Sequence, residues 1–201
     1  MGVVDVSMQR AVFLDRDGVL NRAFPGDDCK THPPCSPEEL EILPGVTEAC
    51  DALRRAGFVL IVVSNQPDVA RGKQRREVVE RINGVLRRQV PIDDIRVCYH
   101  DNPDHCGCRK PRPGLLLDAA REWDVDLASS VMVGDRWTDI EAGWRAGCRT
   151  VLVDRSGADV GRTQLGQVGR GRPDHQARSL SEAVAWILSH DSVPIPGGEG
   201  Q

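Results

Sequence analysis

The sequence predicts an α/β fold, a doubly wound parallel sheet with helices on both faces. Short apolar runs rich in β-branched residues alternate with segments of helical period. The polar residues that can carry chemistry follow directly after those runs, at what would be the carboxyl ends of strands. No stretch approaches the roughly 18 to 20 uninterrupted apolar residues that span a bilayer.

AVFL at 11–14 opens the series as a buried strand. The segment 24–37, FPGDDCKTHPPCSP, is too rich in Pro and polar residues for regular structure and reads as a loop. Val46, Ala49, Cys50 and Leu53 stand at i, i+3, i+4 and i+7, which predicts an amphipathic helix over 45–56 that stops at Gly57. FVLIVVS at 58–64 is the second strand, and 75–90 repeats the helical period with Val78, Val79, Ile82, Val85 and Leu86. IRVCY at 95–99 is the third strand. Pro113 can open the next helix, carrying Leu116, Leu117 and Ala120. SVMVG at 130–134 precedes a helix whose inner side is marked by Ile140 and Trp144 and which ends at Gly147. RTVLV at 149–153 is the fifth strand. A Gly- and Arg-rich loop at 156–173 and a last helix over 179–190 complete a single domain spanning 1–190, and 191–201 reads as a flexible tail. Right-handed crossovers follow from the alternation.

The chain of 201 residues is 40% hydrophobic, enough for one sizeable core, and its net charge of -4 excludes a broad basic surface for nucleic acid or anionic lipid. An anionic ligand must be held locally. The start, MGVVDVSMQR, has no basic segment leading into an apolar one, and Val6 occupies the position where a myristoylation motif wants Ser or Thr. The expectation is a cytoplasmic monomer that binds neither membrane nor nucleic acid. In that reducing compartment an odd count of seven cysteines reads as metal ligands or buried apolar residues, Cys50 and Cys148 being core, rather than as a disulfide framework.

The residues after the apolar runs form a consistent set. Asp15, Arg16, Asp17 and Gly18 follow the first, and Ser64, Asn65 and Gln66 close the second. Arg109 and Lys110 lie beyond the third, and Gly134 and Asp135 end the fourth. Asp139 reads as a first-turn helix residue or a partner of the site. Clustered carboxylates repel unless a cation sits among them, and an oxygen-rich set suits Mg²⁺. A hydroxyl and an ammonium facing that ion suit a transferring phosphoryl group. Two carboxylates then divide the work: Asp15 attacks phosphorus to form an aspartyl-phosphate, and Asp17 protonates the leaving alkoxide and later activates water.

FLDRDGVLN, VVSNQ, CRKP and MVGDRWTD, in that order, resemble the four motifs of the haloacid dehalogenase superfamily of phosphatases over roughly residues 10–155. The resemblance implies a Rossmann-like sheet and assigns Asp15 as nucleophile, Asp17 as acid/base, and Ser64 and Lys110 as the groups steadying the phosphoryl. It gives Arg109 to substrate recognition, and Asp15, the Asp17 carbonyl and Asp135 to Mg²⁺. The chain further resembles the subgroup of D-glycero-D-manno-heptose 1,7-bisphosphate 7-phosphatases and histidinol-phosphate phosphatases, whose members carry a zinc loop before the motif lysine. Asn21 and the run Val69 to Lys73 look more like the heptose branch, with histidinol phosphate or another small sugar phosphate as the alternative substrate. Ser64 stands where the heptose enzymes usually have Thr and Arg136 where a Lys is common. The short span between Asp15 and Ser64 leaves no room for a cap domain, so the 24–37 loop, the zinc loop and Arg71 or Lys73 are expected to form the rim, with Asn65, Gln66, Arg71, Lys73, Arg109 and Arg136 binding substrate.

CYHDNPDHCGCRKP, from Cys98 to Pro111, supplies Cys98, His100, Cys106 and Cys108, a Cys₃His set suited to a closed, structural Zn²⁺ in a loop over 98–108, with His105 spare. The metal would fix where Arg109 and Lys110 enter the site. Cys29, His32 and Cys35 lack a fourth ligand and are read as loop packing. A phospho-accepting signalling domain would carry its aspartate after the third strand, and a zinc-dependent nucleic-acid module would need another ligand spacing and a basic surface.

Overall fold

The structure, a computed structural model, describes residues 8–25, 31–155 and 172–191. In chain order the strands are β1 (Arg10–Leu14), β2 (Phe24–Pro25), β3 (Thr31–His32), β4 (Phe58–Asn65), β5 (Asp94–Cys98), β6 (Val131–Gly134), β7 (Arg149–Val153) and β8 (His175–Ala177). The helices are α1 (Val46–Arg55), α2 (Arg76–Gln89), α3 (Gly114–Trp123), α4 (Trp137–Ala146) and α5 (Leu180–Ser189). Six strands form one sheet in the order β5-β4-β1-β6-β7-β8, every pairing parallel. The chain winds outward from β1 to β5, then returns to the other side of β1 and winds to β8. The β1–β6 junction is therefore the point where the winding reverses and where such sheets open a crevice.

Alternation along the strands divides the core. Val12, Leu14, Leu60, Val62, Val131 and Val133 face one side, where α1 and α5 cover them with Val46, Leu53, Leu180 and Ile187. Ala11, Phe13, Ile61, Val63 and Met132 face the other, under Leu115, Leu116 and Ala119 of α3 and Ala142 of α4. Ser179 caps α5, its Oγ accepting the Glu182 N–H at 3.2 Å. Among the described residues no helix is long and apolar enough to cross a membrane.

The register aligns the site. Leu14 stands opposite Val62 of β4 and Val133 of β6, so Asp15, Ser64 and Asp135 emerge together at the carboxyl edge of three adjacent strands. The Asp15 N–H donates to the Val133 carbonyl at 2.9 Å, extending β1 by one residue before the chain turns.

Several expectations are corrected. Trp144 is not on the inner side of α4 but 49% exposed. The helix approaches the sheet through Gly143, where a Cβ would sit 2.5 Å from the Met132 Cβ, and that contact leaves no room for an indole beneath the helix. Leu117 is 39% exposed, because α3 turns Leu115, Leu116, Ala119 and Ala120 inward instead. Val85 is only partly buried, and its place on the stripe of α2 is taken by Asn83. The third strand begins at Asp94 and ends at Cys98. The segment read as loop at 24–37 contains the antiparallel pair β2–β3 and the start of a 3₁₀ turn at Pro37–Glu39; residues 26–30, with Cys29, lie outside the described residues. β8 was not foreseen: it is three residues of mixed character, HQA, at the sheet edge. Residues 156–171 of the predicted late loop and 192–201 of the predicted tail also lie outside the described residues. No inserted cap is present among the described residues between β1 and β4.

Leu60 is fully buried, so Leu60→Ala should lower unfolding stability by about 2–5 kcal/mol, while Leu117→Ala should change it by less than about 0.5 kcal/mol. Urea denaturation midpoints at unchanged slope measure both.

Candidate active site

The centre of the sheet edge is organised around Lys110, delivered by the loop between β5 and α3 and only 3% exposed. Its Nζ donates to Asp15 Oδ1 at 2.6 Å and the Val63 carbonyl at 2.7 Å, and pairs with Asp139 Oδ1 at 2.6 Å. Three acceptors match the three donors of an ammonium. Asn65, the last residue of β4, fixes the lysine's backbone from both sides: its Nδ2 donates to the Lys110 carbonyl at 3.0 Å and its Oδ1 accepts the Lys110 N–H at 3.1 Å. The lysine stays charged because the carboxylates of Asp139 and Asp15 outweigh burial, which alone would lower its pKa.

Asp15, Asp135 and Asp139 each offer a carboxylate oxygen to a cluster in which all lie within 4.8 Å of one another. Burial, reinforced by Asp139 and Asp17 against the pull of Lys110, raises the Asp15 carboxyl to about 6. Burial and the charges of Asp15 and Asp139 raise Asp135 to about 8. Asp135 Oδ1 is buried and accepts no hydrogen bond; Arg136 Nε stands 3.8 Å from it. Gly18, at φ +94°, lets the chain turn against this carboxylate, since a Cβ there would fall 2.2 Å from Asp135 Oδ2. Buried carboxylates with raised pKa values and an oxygen without a donor make a site short of positive charge, which a hard divalent cation fits.

Asp17 lies outside that cluster, and its carboxylate is held by neutral and cationic donors. Oδ1 accepts from Asn21 Nδ2 at 3.0 Å and Arg16 Nε at 3.2 Å; Oδ2 accepts from Gln66 Nε2 at 2.7 Å and Arg16 Nη2 at 3.0 Å. Gln66 also donates to the buried Ser64 Oγ at 2.9 Å. The two aspartates of DRDG therefore occupy different environments, one facing an ammonium and carboxylates, the other facing amides and a guanidinium.

Beside the site, Cys98 at the end of β5 meets His100, Cys106 and Cys108. Sγ–Sγ distances are 3.7 Å for Cys98–Cys106, 3.3 Å for Cys98–Cys108 and 3.4 Å for Cys106–Cys108, and His100 Nδ1 lies 3.6 Å from Cys98 and 3.3 Å from Cys108. All three cysteines are free thiols. A tetrahedral zinc about 2.3 Å from each sulfur sets neighbouring sulfurs about 3.8 Å apart, close to this arrangement, so the four side chains could hold a metal ion. His105 is exposed and stands apart from this group.

A family model described as HAD-hydrolase-like matches residues 107–183. The D-glycero-beta-D-manno-heptose-1,7-bisphosphate 7-phosphatase of Bordetella bronchiseptica is 36% identical over 184 residues, covering 89% of this chain and 98% of that relative. The chain belongs to the haloacid dehalogenase-like phosphatases. This haloacid dehalogenase-like phosphatase is also 35% identical over 162 residues to the protein of the same name from Escherichia coli K12, covering 75% of this chain and 81% of that one. Its fold is similar to the crystal structure of D,D-heptose 1,7-bisphosphate phosphatase from B. bronchiseptica complexed with magnesium and phosphate. That match has a TM-score of 0.75 at 33% identity, over 90% of this chain and 99% of the other.

Within this phosphatase the structure gathers Asp15, Asp135, Asp139 and Lys110, and links Asp17 to Ser64 through Gln66. Asn65 and Gln66, expected to bind substrate, have partners within the fold: one grips the Lys110 backbone, the other bridges Asp17 and Ser64. Arg71 is bound by both oxygens of Asp101, at 2.7 and 2.8 Å, and Arg109 donates to Asn102 Oδ1 at 2.8 Å and the His100 carbonyl at 3.3 Å. Both rim arginines are thus fastened to the cysteine loop. Lys73 is exposed, and Arg136 stands beside Asp135. Sequence reasoning placed Arg16 after the first strand without giving it a role, and missed Asn83 and Asp101. Asn83 left a readable signal, a polar residue on the apolar stripe of α2 four residues after Val79. Asp101 left none.

The raised carboxyls give the cation a pH signature. With Asp15 at about 6 and Asp135 at about 8 against an ordinary 3.8, the folded chain binds protons that the unfolded chain does not, so stability falls as pH rises through that range. Protein dialysed free of Mg²⁺ should melt at lower temperature at pH 8 than at pH 6, and added Mg²⁺, displacing those protons, should raise the melting temperature more at pH 8. Equal gains at the two pH values in thermal denaturation would contradict this exchange.

Proposed function

We infer that this phosphatase removes the 7-phosphate of D-glycero-beta-D-manno-heptose 1,7-bisphosphate, with residues 1–190 acting as a single catalytic domain. The observation that carries the chemistry is the Lys110 ammonium set between Asp15 and Asp139, beside the separately held carboxylate of Asp17. The names of relatives matched over nearly their whole length support the substrate.

Asp15 attacks phosphorus as the bond to the sugar oxygen breaks, and that oxygen takes the proton of Asp17. The Asp17 carboxylate then takes a proton from water, whose oxygen bonds to phosphorus as the Asp15–phosphorus bond breaks; inorganic phosphate leaves and both aspartates return to their starting state. Lys110 and Ser64 steady the phosphoryl oxygens. Asp15, the Asp17 carbonyl and Asp135 would hold Mg²⁺, which supplies positive charge to those oxygens when bound. Asp139 acts on the lysine. Arg109, Arg71, Lys73 and Arg136 form a cationic rim for the rest of the substrate. Cys98, His100, Cys106 and Cys108 hold a structural Zn²⁺ that orders the loop leading into Arg109 and Lys110.

Phosphate release with Mg²⁺ should be fastest on the β anomer of heptose 1,7-bisphosphate, slower on the α anomer and slowest on histidinol phosphate; a preference for the last overturns the substrate assignment. Asp15→Asn should reduce release to background on all three, and undiminished turnover would remove the covalent mechanism. The purified protein should contain about one zinc per chain. Cys106→Ser and Cys108→Ser should lose that zinc and most activity, and excess Mg²⁺ should not restore it. Full zinc content and full turnover in both variants would separate the loop from the site.

A further inference from the structure

We propose that Arg16 is a positioning residue for the proton-transfer step, fixing the plane of the Asp17 carboxylate and tying that carboxylate, through Asn83, to helix α2. The proposal rests on the reading of Asp17 as the group that protonates the leaving oxygen.

Arg16 is 0% exposed, and a guanidinium buried to that degree needs strong partners. Its partners are specific. Nε and Nη2 address the two oxygens of Asp17 at 3.2 and 3.0 Å, and Nη1 donates to Asn83 Oδ1 at 2.8 Å. Side chains of consecutive residues point to opposite faces while a strand persists. Here β1 has ended at Leu14, and the turn into Gly18 lets the guanidinium of one residue address the carboxylate of the next. A planar fork on both oxygens leaves a carboxylate little rotational freedom, which a lysine ammonium cannot reproduce.

The fork is itself held from outside the motif. Asn83 is 8% exposed and lies on the face of α2 that otherwise buries Val78, Val79, Ile82 and Leu86. A buried asparagine there costs stability unless its amide is bonded, and its oxygen is bonded to Arg16. Gln66 and Asn21 complete the ring of donors around Asp17, but both are neutral and neither reaches both oxygens. The acid/base is thus oriented by a chain that runs from α2 through Asn83 and Arg16.

A positioning role and a purely structural one separate by leaving group. p-Nitrophenyl phosphate releases a stable phenolate that needs little protonation, whereas an alkyl phosphate releases an alkoxide that does. Arg16→Lys and Asn83→Ala should each lower kcat/KM, which reports the steps up to release of the leaving group and not the later attack of water that Asp17 also assists, at least tenfold more on the best alkyl phosphate substrate than on p-nitrophenyl phosphate, and Asp17→Asn should show the same bias at about 10²–10⁴-fold. Asn83→Ala keeps the test open if Arg16→Lys does not fold. Equal losses on the two substrates in the Arg16 and Asn83 variants, with the bias intact in Asp17→Asn, overturn the proposal and leave the Asp17 reading standing. Absence of the bias in Asp17→Asn overturns the reading and the proposal together.

Discussion

The architecture of the site follows from the Lys110 ammonium. Two strand ends and the first turn of α4 bring Asp15, Asp135 and Asp139 to within 4.8 Å of one another, in a place where burial disfavours the charged forms of Asp15 and Asp135. Such a cluster is unstable without positive charge inside it. Lys110 supplies that charge at 2.6 Å from two of the three, and its third donor is absorbed by the Val63 carbonyl, so it has little freedom to be anywhere else. Much of the surrounding structure can be understood as the means of delivering one lysine: the end of β4 grips its backbone through Asn65, and the cysteine loop sets the path by which the chain arrives.

The strands and the chemistry were legible for the same reason. In a parallel sheet buried on both faces, strands are short β-branched runs, and the residues that end them are held at one edge by register. AVFL followed by Asp15 and SVMVG followed by Asp135 therefore carried both the fold and the site in one pattern. The helices were less legible where close approach, not period, decides orientation. Trp144 fits the helical stripe of α4 and is still turned outward, because Gly143 lets the helix sit too near the sheet for an indole. β8 escaped because an edge strand of three residues buries too little to leave an apolar run.

Polar partnerships across the fold were the least legible. Asn65 and Gln66 follow an apolar strand as substrate contacts would, and nothing in their spacing distinguishes a side chain that faces a ligand from one that fastens a neighbouring loop. The structure adds the partners that spacing does not reveal, the Lys110 backbone beside Asn65 and Asp17 and Ser64 beside Gln66. Asp101 is the same lesson in reverse, a residue in a polar loop whose two oxygens turn out to be committed to Arg71 from another loop.

That last contact has a consequence for how the surface can diverge. Arg71 belongs to the segment after β4 and Asp101 to the segment after β5, yet the bidentate pair joins them at the rim. The two segments are therefore coupled at the rim. A chimera that imports either segment alone loses the bidentate pair and leaves Arg71 with Asp68 and Asp101 with Arg109, each within its own segment, whereas one that imports both carries the fastening between them.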